Sequence, residues 1–172
     1  MSLEVLISAD QIKQRVGELA RSLDSVGANE PIVLVGVLKG SLHFLSDLSR
    51  EMKRDTEVDF IQTSSYGSGK SSSGVVQIRK DLDINIEGRD VIIVEDIVDT
   101  GTTLMHLREL LSTRFPKSLQ IVALLSKSTA RKVKIAVEFI GFEISDEFVV
   151  GYGLDFAERY RNLPYVAILR ED

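Results

Sequence analysis

The chain of 172 residues can bury one hydrophobic core, and its 44% hydrophobic and 27% charged residues are typical of a globular protein. Its net charge of −5 argues against a general nucleic-acid-binding protein, and the lack of cysteine excludes disulfides, thiolate catalysis and thiolate zinc sites. No secretory segment and no apolar run of about 20 residues is recognisable, so we expect a cytoplasmic protein that binds neither nucleic acid nor membrane.

The N-terminal part of the chain predicts a helix, a strand and a second helix. Ser8 and Gln11 have the spacing of a capping box, in which each side chain bonds to the backbone amide of the other residue. A stripe with helical spacing follows, made of Ile12, Val16, Leu19 and Leu23. Residues 32–37 are mostly β-branched or aliphatic and predict a buried strand. The second helical stripe contains Leu42, Leu45, Leu48 and Met52.

Strand patterns dominate the rest of the chain. The predicted strands cover residues 58–62, 75–78, 91–94, 119–125, 137–142, 148–150 and 165–169. Leucines at positions 104, 107, 110 and 111 predict one more helix, which ends before Pro116. Because strands and helices alternate, we predict an α/β fold: a single domain over residues 1–172, with a mostly parallel central sheet and helices on both faces.

The stretch from residue 91 to residue 103 is the strongest indication of function. The predicted strand ends at two adjacent carboxylates, Glu95 and Asp96, and Asp99 then opens a loop of threonines around Gly101. Free backbone amides at the start of the next helix can bind a phosphate. Glu95 and Asp96 would repel that phosphate, so we expect them to contact sugar hydroxyls or a divalent cation, namely Mg²⁺. An ordinary turn with solvated acids is the alternative, and it accounts poorly for so many acids and threonines together.

Residues 67–74 contain three glycines and no apolar residue, so they do not contribute to a core. A Gly-Lys-Ser order within them resembles the end of a P-loop, but the first required glycine is missing and a strand follows instead of a helix. A flexible hairpin and a lid that closes over substrate suit this composition equally. Ser65 and Tyr66 favour the lid, which we assign to about residues 65–76, because a tyrosine ring can cover a ligand.

A lysine and a glycine follow the first buried strand. Lys39 and Gly40 precede the second helix, and ligands of parallel sheets collect at the carboxyl ends of strands. If the two strands are neighbours, this pair lies near the acidic loop and suits a second phosphate group. A surface lysine before a helix is the common alternative. Together with the acidic loop, the pair predicts a substrate with two separated phosphate positions.

These motifs resemble those of a known family. Residues 95–103 are similar to the phosphoribosyl-diphosphate motif of type I phosphoribosyltransferases, although Thr102 stands where other members have lysine. Further motifs resemble, in the same order, those of the hypoxanthine-guanine branch and especially its short bacterial members. They are Leu38-Lys39-Gly40, Ser65-Tyr66, Lys127, residues 148–155 and Arg161. The resemblance covers almost the whole chain, from the first helix to Arg170.

The resemblance implies purine salvage, in which the 5-phosphoribosyl group moves from phosphoribosyl diphosphate to hypoxanthine or guanine and gives IMP or GMP and diphosphate. Mg²⁺ is the implied cofactor, because it stabilises the negative charge of the leaving diphosphate. The implied fold adds a small hood over the base site, from about residue 143 to residue 172 with the N-terminal segment. A homodimer or homotetramer is the usual assembly, and a non-proline cis peptide bond often occurs at Lys39.

The resemblance also assigns roles on the phosphate side of the site. Asp99 lies near purine N7 as the candidate general base, and capping of the turn is its alternative role. Glu95 and Asp96 hold the ribose hydroxyls, directly or through metal, and Asp155 helps to bind a second metal ion. The 5′-phosphate is held by Thr100, Gly101, Thr102 and Thr103. Diphosphate contacts Lys39, Gly40 and Arg161.

On the base side, the implied residues are Lys127, Phe148, Val149 and Asp155. Lys127 follows a strand and can donate to purine O6, which distinguishes 6-oxopurines from adenine; without the resemblance, a surface lysine is the more common interpretation. Phe148 offers a flat face for stacking, and a core aromatic is its alternative. Val149 presents backbone groups to the edge of the purine.

Two other functions are compatible with this fold. One is a transferase for another base such as xanthine, and the other is a regulatory module that senses phosphoribosyl diphosphate without catalysis. A regulator would tolerate loss of the base-side groups, whereas here Asp99, Lys127, Asp155 and Arg161 are all present. No DNA-binding helix pair or basic extension is recognisable. The sequence therefore favours catalysis.

Overall fold

Nine strands and three α-helices are described in the computed structural model, which covers residues 1–27, 30–65 and 76–170. The strands are β1 (Ser2–Ile7), β2 (Ile32–Leu38), β3 (Thr56–Ser65), β4 (Val76–Lys80), β5 (Asp90–Val98), β6 (Ser118–Ser126), β7 (Phe139–Glu143), β8 (Val149–Val150) and β9 (Val166–Arg170). The helices are α1 (Ala9–Leu23), α2 (Leu42–Glu51) and α3 (Thr102–Ser112). The predicted lid, with Tyr66, lies almost entirely outside the described residues. Within the described ranges, no helix is long and apolar enough to span a membrane.

The central sheet has the strand order β4-β3-β2-β5-β6-β7. Strand β2 pairs in parallel with β3 and β5, and β6 pairs in parallel with β5 and β7. Strand β4 runs antiparallel to β3 at the edge. The predicted mostly parallel sheet is therefore confirmed.

Successive side chains of β2 point to opposite faces of this sheet, and helices cover both faces. Ile32 and Leu34 pack in the core under α1 and α2, whereas Val33 and Val35 pack in the core under α3. The capping box at Ser8 and the buried stripe of α1 are confirmed. Leu42 differs from its prediction, since it is the exposed first residue of α2. The buried face of that helix is formed by Phe44, Leu45 and Leu48.

A second, antiparallel sheet has the order β1-β9-β8. The sequence did not predict β1, because five of its six residues are exposed and carry no buried periodicity. Pairing with β9 alone makes this segment a strand. Strand β7 also begins two residues later than predicted, at Phe139.

Strand β5 continues to Val98, beyond the predicted end at Val94. Its pairing with β2 ends at Val94, opposite Gly36, whereas its pairing with β6 continues to Val98. Glu95 and Asp96 therefore lie inside the strand, where it loses one neighbour. This position places the two carboxylates beside the loop that leaves β2.

Candidate active site

The carboxyl ends of β2 and β5 bring Gly40 against Asp96. A Cβ atom at Gly40 would lie 1.7 Å from Asp96 Oδ2, far inside van der Waals contact, so this approach requires glycine. The peptide bond between Leu38 and Lys39 is cis, as the resemblance implies. The structure thus brings together the two segments for which separate phosphate positions were predicted.

Gly153, in the loop after β8, packs against the carbonyl group of Gly40. A Cβ atom at Gly153 would lie 2.1 Å from the carbonyl oxygen of Gly40, and its φ of +101° also favours glycine. Arg161 holds Gly153 from the other side, because Arg161 Nη1 donates to the Gly153 carbonyl at 2.7 Å. The Gly153 amide donates in turn to the Arg161 carbonyl at 2.9 Å. Gly153 was not among the predicted site residues, although its Gly-Tyr-Gly setting indicates an unusual turn.

Glu95 and Asp96 form a crowded pair of carboxylates. Loss of solvent, followed by the charge of Asp96, raises the pKa of Glu95 well above its ordinary value. Loss of solvent also raises the pKa of Asp96, although hydrogen bonds from Glu95 and the Ile97 amide and the charge of Arg161 oppose this. The oxygen atoms of two crowded carboxylates are suitable ligands for a divalent cation.

The variant Glu95→Gln is expected to stabilise the ligand-free protein at neutral pH by about 0.5–2 kcal/mol, as is common when strain at a functional site is relieved. An amide removes one of two like charges and keeps an acceptor for the Asp96 amide, which now donates to Glu95 Oε1 at 3.1 Å. Because the pKa of Glu95 is raised on folding, its contribution to stability is fully present below the ordinary value of 4.5. That contribution is lost as the pH rises through the pKa of the folded state.

The gain in stability of Glu95→Gln over wild type should therefore grow as the pH rises from about 4.5 to neutral. Thermal unfolding of both proteins over a pH series measures this gain. Glu109→Gln is the matched control, since Glu109 is exposed on α3. A stability difference from wild type that stays constant across the series would contradict this interpretation of the pair.

A recess of about 130 Å³ lies at the start of α3. Its lining comes from the predicted acidic loop and the first turn of the helix: Glu95, Ile97, Val98, Asp99, Thr100, Gly101, Thr103 and Leu104. Thr102 lies beside it, where its amide donates to Thr100 Oγ1 at 3.4 Å. Backbone amides at a helix start and threonine hydroxyls are suited to a phosphate.

Lys127 lies just beyond β6 and is only 6% exposed, so it is not a surface lysine. Its backbone amide donates to the Val98 carbonyl at 2.9 Å, which holds it beside the acidic loop. Its Nζ atom lies 4.0 Å from Asp99 Oδ2 and 3.4 Å from Asp146 Oδ1. Asp146 was not among the predicted site residues, because no local pattern distinguishes it from other loop aspartates.

Phe148 is 53% exposed, so it is not the core aromatic that its apolar neighbours allow. Its ring meets Phe156 edge to face, with 5.8 Å between centroids and 86° between planes. Val149 is buried in β8. An exposed ring supported from one side is available for stacking on a planar ligand.

Asp155 makes contacts that its predicted metal role did not anticipate. Its Oδ1 atom lies 3.1 Å from Arg161 Nη2, and its Oδ2 atom accepts the Glu158 amide at 2.9 Å. In the part of the chain that the structure describes, no three acidic or histidine side chains group into a cation site, so Asp155 is not clustered with Glu95 and Asp96. A cation held by that pair would need further ligands from the substrate or from water.

Glu158 forms ion pairs with Lys39 and Arg161, the two side chains predicted to contact diphosphate. Lys39 Nζ lies 3.0 Å from Glu158 Oε2, and Arg161 Nη2 lies 3.4 Å from Glu158 Oε1. The hydrogen bond from Lys39 lowers the pKa of Glu158. Lys39 and Arg161 thus converge on one anion position, which was not predicted from the sequence because Glu158 lies far from Lys39 in the chain.

Comparison with known proteins agrees with this geometry. The family model described as phosphoribosyl transferase domain matches residues 7–157. The chain is 53% identical over 167 residues to hypoxanthine phosphoribosyltransferase of Escherichia coli strain K12, covering 96% of this chain and 94% of that protein. It is 50% identical over 167 residues to hypoxanthine-guanine phosphoribosyltransferase of Bacillus subtilis strain 168, covering 97% and 93%.

A crystal structure of a hypoxanthine-guanine phosphoribosyltransferase from Bacillus anthracis superposes with a TM-score of 0.93 at 46% identity, covering 97% of this chain and 98% of that one. This likeness confirms the predicted fold class over nearly the full length. The family match and the identity to whole enzymes both cover the acidic loop, the lysine after β6 and the glycine contacts. The chain belongs to the phosphoribosyltransferase family.

Proposed function

We propose that the protein transfers the 5-phosphoribosyl group from phosphoribosyl diphosphate to hypoxanthine or guanine, giving IMP or GMP and diphosphate. The observation that carries this proposal is the buried Lys127 beside Asp99, at the edge of the phosphate recess. The names of the similar enzymes from Escherichia coli and Bacillus subtilis support the same reaction.

The spacing of Lys127 and Asp99 suits one edge of a 6-oxopurine. Purine N7 and O6 are neighbouring positions on that edge, and the two side chains are 4.0 Å apart. The Lys127 ammonium would donate to O6, while the Asp99 carboxylate accepts the N7 proton as N9 attacks ribose C1. Adenine carries an amino donor in place of O6, which would face the ammonium donor unfavourably.

The remaining residues would bind the phosphorylated sugar. The recess formed by residues 99–104 would hold the 5′-phosphate, and Lys39, Gly40 and Arg161 would contact the diphosphate, for which the planar fork of arginine is well shaped. Glu95 and Asp96, and Asp155 for a second ion, would hold Mg²⁺ with substrate oxygens. When bound, Mg²⁺ supplies Lewis-acid stabilisation of the charge on the leaving diphosphate.

The second sheet would serve as the hood over the base. Strand β9 pairs with both β1 and β8, so the N-terminal segment and the C-terminal strands form one unit. Phe148 immediately precedes β8 and would stack on the purine from this unit.

The proposal is tested by nucleotide synthesis from phosphoribosyl diphosphate and Mg²⁺ with hypoxanthine, guanine, xanthine or adenine in separate reactions. We expect a monophosphate from hypoxanthine or guanine and none from adenine. Product from xanthine alone would support the transferase for another base. No product, with phosphoribosyl diphosphate still raising the melting temperature, would support the regulatory module.

Replacement of Lys127 tests base recognition directly. Lys127→Met keeps the buried aliphatic stem and removes the ammonium, so we expect kcat/KM for hypoxanthine to fall about 10- to 100-fold, the worth of a charged hydrogen bond. Discrimination against adenine should fall with it, and competition assays measure this. Lys134→Met, at an exposed lysine of the following loop, is the control. Unchanged selectivity in Lys127→Met would refute the contact with O6.

Assembly as a homodimer or homotetramer is also proposed. Large apolar side chains remain exposed in the N-terminal half of the single chain, and such surface commonly marks an interface. They include Leu3, Val5, Leu42 and Val58. Light scattering of the purified protein measures the mass of the assembly.

A further inference from the structure

We propose that Asp146 is a positioning residue for base recognition, which keeps the Lys127 ammonium paired and aimed while Asp99 changes its charge. This inference rests on the proposed function of Lys127 and Asp99. Its starting observation is that Lys127 Nζ lies closer to Asp146, at 3.4 Å, than to Asp99, at 4.0 Å.

Burial makes the pairing of Lys127 important. The Lys127 side chain is only 8% exposed, and an ammonium removed from water is costly unless carboxylates accept its hydrogen bonds. The two carboxylates near it come from different parts of the fold. Asp99 belongs to the loop after β5, and Asp146 belongs to the loop between β7 and β8.

Asp99 alone is a poor permanent partner for Lys127. When Asp99 takes the N7 proton, its carboxylate becomes neutral and its attraction for the ammonium is lost. Asp146 takes up no proton in this reaction, and so it retains its charge. Lys127 therefore keeps a counterion through the whole turnover, and its proton donors stay directed at O6 instead of following Asp99.

The loop that carries Asp146 is held against the end of β6, directly before Lys127. The Ile144 amide donates to the Ser126 carbonyl at 2.9 Å, at the residue directly before Lys127. Two positions after Asp146 stands Phe148, the ring proposed to stack on the purine. One loop thus supplies both the ring that covers the base and the carboxylate that orients the lysine.

Steady-state kinetics of Asp146→Asn provide the test. We expect the KM for hypoxanthine to rise about 10-fold or more, as for loss of a hydrogen bond between charged groups. The KM for phosphoribosyl diphosphate should stay near the wild-type value, and discrimination against adenine should fall. Asp146→Glu should restore most of both properties, because it returns the charge to the same loop.

Glu147→Gln is the matched control, since this adjacent carboxylate lies 3.8 Å from Arg170 and faces a different partner. It should leave the KM for hypoxanthine unchanged. Thermal unfolding of each variant shows whether a kinetic change reflects loss of fold. Equal losses in Asp146→Asn and Asp146→Glu, or a rise in both KM values, would indicate a merely structural residue and overturn the inference.

Wild-type activity in the same series separates this inference from the proposed function. If wild type converts hypoxanthine and Asp146→Asn keeps its KM and its discrimination against adenine, the role of Asp146 is overturned and the proposed function stands. A wild-type protein without transferase activity would contradict the proposed function, and this inference with it.

Discussion

Asp99→Asn should lower kcat by about 10²- to 10⁴-fold, the usual contribution of a general base, and leave the affinity for phosphoribosyl diphosphate nearly unchanged. Asparagine has the same shape and keeps an oxygen that can cap the turn, but it takes no proton from purine N7. Asp99 lines the phosphate recess, but the variant leaves the hydroxyls of Thr100 and Thr103 and the backbone amides at the start of α3 in place. Steady-state turnover and the melting-temperature shift with phosphoribosyl diphosphate measure the two effects separately.

The alternative role of Asp99 as a turn cap makes the opposite prediction. A cap needs only an acceptor oxygen, so Asp99→Asn would then keep wild-type turnover. Asp55→Asn is a suitable control, because Asp55 is exposed before β3 and distant in the chain from the acidic loop. Full activity in Asp99→Asn would remove Asp99 from the proton transfer.

Gly40→Ala should reduce kcat/KM by about 100-fold or more, the cost of displacing a catalytic group by roughly 1 Å. The new Cβ atom would lie 1.7 Å from Asp96 Oδ2, so the loop after β2 or the carboxylate must move. The Gly40 carbonyl also touches Gly153, so a shifted loop would disturb the contact with Arg161 as well. Most of the loss should come as a higher KM for phosphoribosyl diphosphate.

Gly17→Ala is the matched control for Gly40→Ala. A Cβ atom at Gly17 meets only ordinary contacts, at 3.6 Å or more, and alanine is the better helix former within α1. We expect full activity and a gain of about 0.5–1 kcal/mol in unfolding free energy. A wild-type KM in Gly40→Ala would show that the loop and Asp96 can separate without consequence, which would contradict the proposed diphosphate contact.

The order of most elements and the composition of the acidic loop follow from the amino-acid sequence alone. The stripe of α1, its capping box and the buried strands β2 and β5 were predictable, because side-chain periodicity over neighbouring residues decides which face is buried. The residues that line the recess at α3 were predictable for a second reason. They are close together in the chain, so a strand, a loop and a helix start are enough to describe their arrangement.

The contacts between residues distant in the chain, in contrast, depend on the assembled fold. Strand β1 exists through its pairing with β9, Gly40 separates Asp96 from Gly153, and Lys127 lies between two carboxylates. These contacts join residues that are far apart in the chain, such as Ser2 in β1 and Arg170 in β9. Local patterns carry no information on such contacts, because strand order, register and the point where β5 loses β2 arise when the whole sheet assembles.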